Sequence, residues 1–474
     1  LIGATVKAKV TLAEKGRMGG DCLNTGCVPS KTFIRSARFV HQVNNAPHYG
    51  IRRAECEFDF AEIMERVQGV IKHIEPHDSP ERFRSMGVDV REAGARIVSP
   101  WAVEIGGETL TTRNIIIATG AHPFVPPIAG IEDVDYHTTD SIWSLREQPE
   151  HLVVMGGGPI GTELTQAFAR LGTRVTQLEA ADRIMGREDE QASRHMMERL
   201  MAEGVTIRTR SRAVGVSQDP DGRKHVRVET PDAEETIDCD QILVAVGRKP
   251  NTEGFGREAL AIPTTERGSI EVNDYLQTCF PNIYAVGDVS GPYQFTHAAS
   301  HQAWHAAVNA LFGSFKRFAV SYKALPWTTF TEPEVARVGI NEQEADAQGV
   351  PYEVTTYDLA ELDRAVTEGA DSGFVKVLTV PGKDKILGAT IVGEHAGELI
   401  SEYVTALRHG LGLNKILSTI HVYPTMAEAN KFAASEWKKA HAPQLVLRWL
   451  GRFHAWRRGD GMNADGPDTA GADS

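Results

Sequence analysis

A chain of 474 residues that is 41% hydrophobic and 24% charged has the composition of a soluble globular protein, with length for about three domains. Its net charge of -13 argues against nucleic acid as a partner, because phosphate binding needs a basic footprint. No apolar run approaches the roughly 18 residues of a membrane span, and the opening LIGATVKAKV lacks the long apolar stretch of a signal peptide.

In chain order, KVTLAEK reads as a strand ending at Glu14, the place of a ribose-binding acid in a dinucleotide fold. The usual spacing of about 20 residues puts the matching glycine turn before Leu1, so the first strand and pyrophosphate loop are expected to be absent. The chain opens on Leu rather than Met, which reads as processing or a fragment. Taken alone, Glu14 reads equally as a plain surface acid.

GGDCLNTGCVPSK (Gly19 to Lys31) comes next, just before the helical run TFIRSARFVHQV. A helix N-terminus favours thiolate. A disulfide between Cys22 and Cys27 would close a very short loop, which adds little stability and makes better sense as redox chemistry. The competing zinc reading needs four ligands, and no second Cys or His pair lies nearby. Cys56, Cys239 and Cys279 lie far apart and are expected to be small buried thiols. Five cysteines are too few for a disulfide scaffold and fit a reducing cytoplasm.

HLVVMGGGPIGTELTQAFARLGTRVTQLE is strand, glycine turn, helix, strand. Gly156, Gly158 and Gly161 form G-x-G-x-x-G at the turn, where backbone N–H groups meet a pyrophosphate at a helix N-terminus. Glu179 ends the following strand. An acid there accepts hydrogen bonds from a ribose 2′-hydroxyl and repels a 2′-phosphate, so NAD is favoured over NADP. Further on, a helix is expected over Thr296 to Phe312. Its His297, His301 and His305 share one face, but a packed or surface helix is the reading and no metal site is expected. After ALPWTTFTEPEVARVG, segments such as GFVKVL and ILGATIVG read as an antiparallel sheet with helices.

The last segment changes character. Leu445, Trp449, Phe453 and Trp456 recur at helical spacing among Arg448, Arg452, Arg457 and Arg458. This helix is expected to dock on the protein or its dimer mate, with a membrane surface as the alternative. The final GDGMNADGPDTAGADS is expected to be disordered.

GGDCLNTGCVPSK resembles the active-site stretch of class I pyridine nucleotide–disulfide oxidoreductases, which include dihydrolipoamide dehydrogenase, glutathione reductase and mercuric reductase. NIIIATGA, ILVAVGRKPN and NIYAVGD resemble further signatures of that family, in the same order, over Val10 to about Ala440. The resemblance implies an α/β fold with two Rossmann-like domains, for FAD and NAD, and a C-terminal α+β dimerisation domain. The expected divisions are 1–145 and 268–324 for FAD, 146–267 for NAD(P), 325–440 for the interface, and 441–474 for the helix and tail. Cys27 would be the sulfur nearest the flavin, able to form its thiolate partner, and Cys22 the interchange thiol. Lys31 would lie near flavin N5 and pair with Glu163. Thr119, Gly120 and Asp288 would touch FAD, and Gly247 the nicotinamide dinucleotide.

One departure stands out. The family's disulfide reductases carry His-Pro-Thr followed by an acid, whereas here the stretch is HVYPTMAE, His421 to Glu428. Tyr423 takes the histidine's place, as in mercuric reductases, and Glu428 keeps the position of the orienting acid. Tyrosine titrates near pH 10 and is a poor proton acceptor at neutral pH. His421 is the alternative base. The cysteine-free tail, DGPDTAGADS, lacks the second cysteine pair that usually delivers metal in mercuric reductases. The expected function is an FAD-dependent NAD(P)H oxidoreductase that passes electrons through Cys22 and Cys27 to a dithiol or disulfide, as a homodimer acting on a small molecule. Reduction of Hg(II) is the alternative, and a non-catalytic flavin- or NADH-binding protein is a third reading.

Overall fold

The computed structural model describes residues Ile2 to Gly459. The expectation of a disordered tail falls on residues 460–474, outside the described residues.

Each sheet follows from its burial pattern. The strand His151–Met155 is buried at all five positions, as a strand covered on both faces must be. It lies inside a four-stranded parallel sheet, between Arg174–Leu178 and Gln241–Val244, with Thr206–Arg208 at the edge. The helix Pro159–Arg170 starts with Pro at its first position, where the missing N–H costs nothing. It buries Leu164, Ala167 and Phe168 against this sheet and the neighbouring unit.

The first unit holds two separate parallel ladders, Thr11–Ala13 with Asp89–Arg91 and Ile115–Ile117 with Ile283–Ala285. An antiparallel ladder, Ala121–Pro123 with Arg248–Pro250, joins the two units beside their shared cleft. The C-terminal unit is a five-stranded antiparallel sheet in the order Pro326–Thr329, Glu334–Gly339, Ile386–Gly393, Phe374–Thr379, Glu353–Asp358. The helices Ala396–His409 and Glu428–Ala440 cover it through Ile400, Tyr403, Ala429 and Trp437.

The helix Thr296–Phe312 has the expected bounds. The helix after the cysteines, here the redox helix, runs Cys27–Asn44 and takes in Cys27 itself. Its early start is tolerated because Pro29 falls in the first turn, where N–H groups lack intrahelical partners in any case. The C-terminal helix Gln444–Arg458 forms, but its aromatic side is uncovered by the described residues. Trp449 and Trp456 are 72% and 74% exposed. Of the three cysteines expected to be buried, Cys239 is; Cys56 is half-buried and Cys279 is exposed, because it stands in a turn between two strands rather than in a core. No helix among the described residues is long and apolar enough to cross a membrane.

Candidate active site

Cys22 sits in a one-turn helix, Gly20–Asn24, and Cys27 opens the redox helix after Gly26. Between them the backbone doubles back, with Thr25 N and Gly26 N both donating to Asp21 O at 2.8 and 2.7 Å. Trp143 pins the turn by donating its indole N–H to Thr25 O at 2.7 Å. The helix Thr296–Phe312 begins at the same point, and Thr296 Oγ1 lies 2.5 Å from Cys22 Sγ and 3.8 Å from Cys27 Sγ. Both cysteines are free thiols here, the reduced form of the couple that the sequence suggests.

The two sulfurs share one proton. Cys22 is pulled down to about 6, first by the hydrogen bond from Cys27, against its burial, with Thr296 assisting. Cys27 is pushed up, first by its hydrogen bond to Cys22 and then by burial. The family resemblance puts thiolate character on Cys27, at a helix N-terminus. The Thr296 hydroxyl reaches both sulfurs and lies nearer to Cys22, where it favours negative charge.

Lys31 lies one turn along the redox helix. Its Nζ is 2.6 Å from Glu163 Oε2 and 4.5 Å from the centre of the Phe330 ring. The other Glu163 oxygen accepts from Phe330 N at 2.9 Å, so this buried carboxylate is fixed at both ends. On the far wall, burial raises the Asp288 carboxyl while Arg248 opposes the shift. Arg248 also bonds Asp21 at 2.7 Å, linking that wall to the cysteine turn.

The glycine turn has clear steric causes. Gly156 has φ +115°, and a Cβ there would meet Ala245 O at 2.4 Å. A Cβ on Gly161 would lie 2.2 Å from Gly156 O, so only glycine lets the helix pack onto the turn. Glu179 bonds Gly157 N and Ala181 N, both at 2.7 Å, which holds its carboxylate at the strand end.

Cys22, Cys27, Lys31, Glu163, Gly156, Glu179, Arg248 and Asp288 line one connected cleft of about 2970 Å³. Drug-sized pockets hold roughly 300–1,000 Å³, so the cleft has room for two dinucleotides. A Cβ added at Gly120, Gly158 or Gly247 would meet no atom within 4 Å, which leaves bare backbone facing the space a ligand would fill. With Lys31 and Asp288 on its walls, the cleft fits FAD beside the thiol pair, and Gly156, Gly158, Gly161 and Glu179 fit a nicotinamide dinucleotide.

Glu14, Thr119, His421, Tyr423 and Glu428 lie outside the lining of this cleft, while His297 is part of it. Glu14 accepts from Gly16 N at 2.8 Å, and Thr119 Oγ1 donates to Asn251 O at 2.7 Å. Tyr423 is 68% exposed and donates to Asp363 Oδ2 at 3.0 Å. Glu428 does not reach Tyr423 through any hydrogen bond; it is buried and accepts from Thr425 N at 3.2 Å. Both ring nitrogens of His421 have partners, Thr419 O at 3.0 Å and Glu402 at 3.1 Å, and the side chain is 7% exposed. It is therefore not presented to a substrate. His297 bonds Pro326 O, and His305 bonds His301 O.

Three contributors escape a reading of the sequence. Thr296 is adjacent to His297, which marks the helix opening, so the motif points one residue too far. Arg248 sits inside VGRKPN without a local sign of its role. Asp363 is 60 residues from Tyr423, and nothing local signals the pair.

A parallel-sheet cleft built for two dinucleotides, with a dithiol at its wall, defines a flavin-dependent disulfide oxidoreductase. The pyridine nucleotide-disulphide oxidoreductase family model matches residues 3–303, and the dimerisation domain of the same family matches 325–434. The chain is 34% identical to the mercuric reductase of Staphylococcus aureus over 91% of its length and 78% of that protein. It is 36% identical to the dihydrolipoyl dehydrogenase of Thermus scotoductus over 91% of its length and 93% of that protein. Among solved structures, the HOCl-induced flavoprotein disulfide reductase RclA of Escherichia coli superposes with a TM-score of 0.80 at 28% identity, covering 91% of this chain and 95% of that one. LpdA of Mycobacterium tuberculosis gives 0.83 at 27% identity, covering 92% and 96%. The chain belongs to the pyridine nucleotide-disulphide oxidoreductase family. It is an FAD-dependent enzyme with NAD(P)H as its nicotinamide partner, which sets aside the non-catalytic reading.

Proposed function

We propose that this enzyme runs in the reducing direction, from NADH to a small disulfide, and that Cys22 is the attacking thiolate. The observation that carries this is the Thr296 hydroxyl 2.5 Å from Cys22 Sγ, which favours a thiolate on that sulfur, with the Cys22 thiol lowered in keeping with it. Such a thiolate is present at neutral pH without a separate base. Cys22 Sγ attacks the substrate disulfide, forming a mixed disulfide and expelling one thiol. Cys27 Sγ then attacks the Cys22 sulfur, releasing the second thiol and closing the Cys22–Cys27 disulfide. Bound FAD supplies the two-electron relay by which NADH reopens that disulfide. Lys31, held by Glu163, stands on the flavin side of the thiols, and Asp288 and Gly120 are the FAD contacts.

Tyr423 supports the same direction. Its partner Asp363 holds the phenol above its ordinary value near 10, so it stays protonated and can donate a hydrogen bond to a leaving thiolate. Exposed Ile420, Val422 and Tyr423 form an uncovered strip on the dimerisation domain. We place that strip against the cleft of a second subunit, in a homodimer with the domain divisions given above. Glu179 supports NADH over NADPH, because its fixed carboxylate repels a 2′-phosphate. Reduction of Hg(II) is the second reading, favoured by Tyr423 itself and by the mercuric reductase relatives.

The deciding experiment is an anaerobic NADH titration followed by absorbance, then NADH consumption with lipoamide, other small disulfides and Hg(II) side by side. The reading predicts thiol release from a disulfide, lost in Cys22→Ser and lowered about 100-fold in Tyr423→Phe. NADH oxidation with Hg(II) alone would replace the first reading by the second.

A further inference from the structure

The C-terminal helix is unused by this chemistry, and its surface has an unusual pattern. Over Gln444–Arg458 only Ala455 is buried. Leu445, Trp449, Phe453 and Trp456 share one side, which Val446 and Leu450 widen, and all six are exposed. Arg452 and Arg457 border this apolar side, while Arg448 and Arg458 lie behind it. From Trp437 to Arg458 there is no acidic residue, in a chain whose net charge is -13.

We propose that this helix docks the enzyme on an anionic phospholipid surface. A helix of 15 residues is about 22 Å long, too short to span a bilayer but long enough to lie along one. Tryptophan and phenylalanine seat at the boundary between headgroups and acyl chains, and arginine stems reach along the apolar face to phosphates. Arg452 and Arg457 beside the apolar side are cationic and the helix carries no acidic residue, which suits a plane of negatively charged headgroups. A second copy of the chain presents both signs, with 50 basic and 63 acidic residues, and so matches those arginines less well.

The test is flotation of the full-length, FAD-loaded protein with vesicles of phosphatidylcholine alone or with about a third phosphatidylglycerol. The protein is expected to float with the anionic vesicles and not with the neutral ones, with a blue shift of tryptophan emission. Trp449→Ser with Trp456→Ser, and separately Arg452→Gln with Arg457→Gln, are expected to weaken binding roughly tenfold or more. NADH-dependent flavin reduction should be unchanged in both. Failure to float, equal flotation with both vesicles, or binding that survives both double variants would overturn the proposal. If the tryptophan variant instead dissociates the dimer and neither vesicle binds, the occupant of this face is the second copy.

Discussion

Cys22 and Cys27 share a proton, and the division between them is set by three side chains. Thr296 and Cys27 both point hydrogen-bond donors at Cys22, while Cys27 has its proton held by Cys22 and is partly buried. Alkylation reads this division directly. In the reduced protein at pH 7, iodoacetamide is expected to modify Cys22 with half-maximal rate near pH 6, and Cys27 more than tenfold more slowly. Peptide mapping by mass spectrometry across a pH series checks it. Cys27→Ala removes the largest of the lowering contributions, so the midpoint for Cys22 should climb back toward its ordinary value near 9. Faster labelling of Cys27 than of Cys22 would reverse the roles assigned above.

The thiols owe their positions to the redox helix, and that helix is held by an aromatic cluster. Phe33 is fully buried, 4.8 Å from Phe168 and 6.2 Å from both Phe60 and Trp143, centre to centre. Trp143 adds the bond to Thr25 O, tying this core to the turn between the cysteines. Trp143→Phe keeps most of the burial but strands that carbonyl, and is expected to cost about 1–3 kcal/mol by urea unfolding. Hydrogen exchange at Thr25 and Gly26 should rise in the same variant. Much of this element was legible in the sequence. Two cysteines among glycines before an amphipathic run announce both the thiols and the helix, and strand His151–Met155 announces itself by unbroken apolar character. Local pattern could not reveal Trp143 reaching back 118 residues to Thr25, or Tyr423 pairing with Asp363, since such pairs are made by tertiary folding alone. The C-terminal helix was legible as a helix, but what covers its aromatic side is not set by local pattern, and the described residues leave it exposed.

At the scale of the whole molecule, a buried ionic network holds three units in register around the cleft. Arg170, on the nicotinamide-side helix, is 3% exposed in its side chain and bonds Glu203 through two nitrogens, at 2.7 and 2.8 Å. It also pairs with Glu332 on the C-terminal unit, which in turn lies 3.5 Å from Arg38 on the redox helix. Burial pushes the Glu203 carboxyl up, but the bonds and charge of Arg170 outweigh it and leave that carboxyl below its ordinary value. A carboxyl lowered in the folded state stabilises the fold above its unfolded value near 4.3, and that contribution is lost as pH falls through the folded value. Arg170→Met leaves Glu203 with Arg199 and Glu332 with Arg38 as their remaining cations, and is expected to cost about 1–3 kcal/mol at pH 7. Acid protonates those carboxylates in the variant, so the gap to the parent should narrow as pH falls from 7 to about 4. Urea unfolding of both proteins at the two pH values checks this. A gap of the same size at both would mean that Arg170 acts through the packing of its long side chain, and that charge pairing across the three units contributes little to their register.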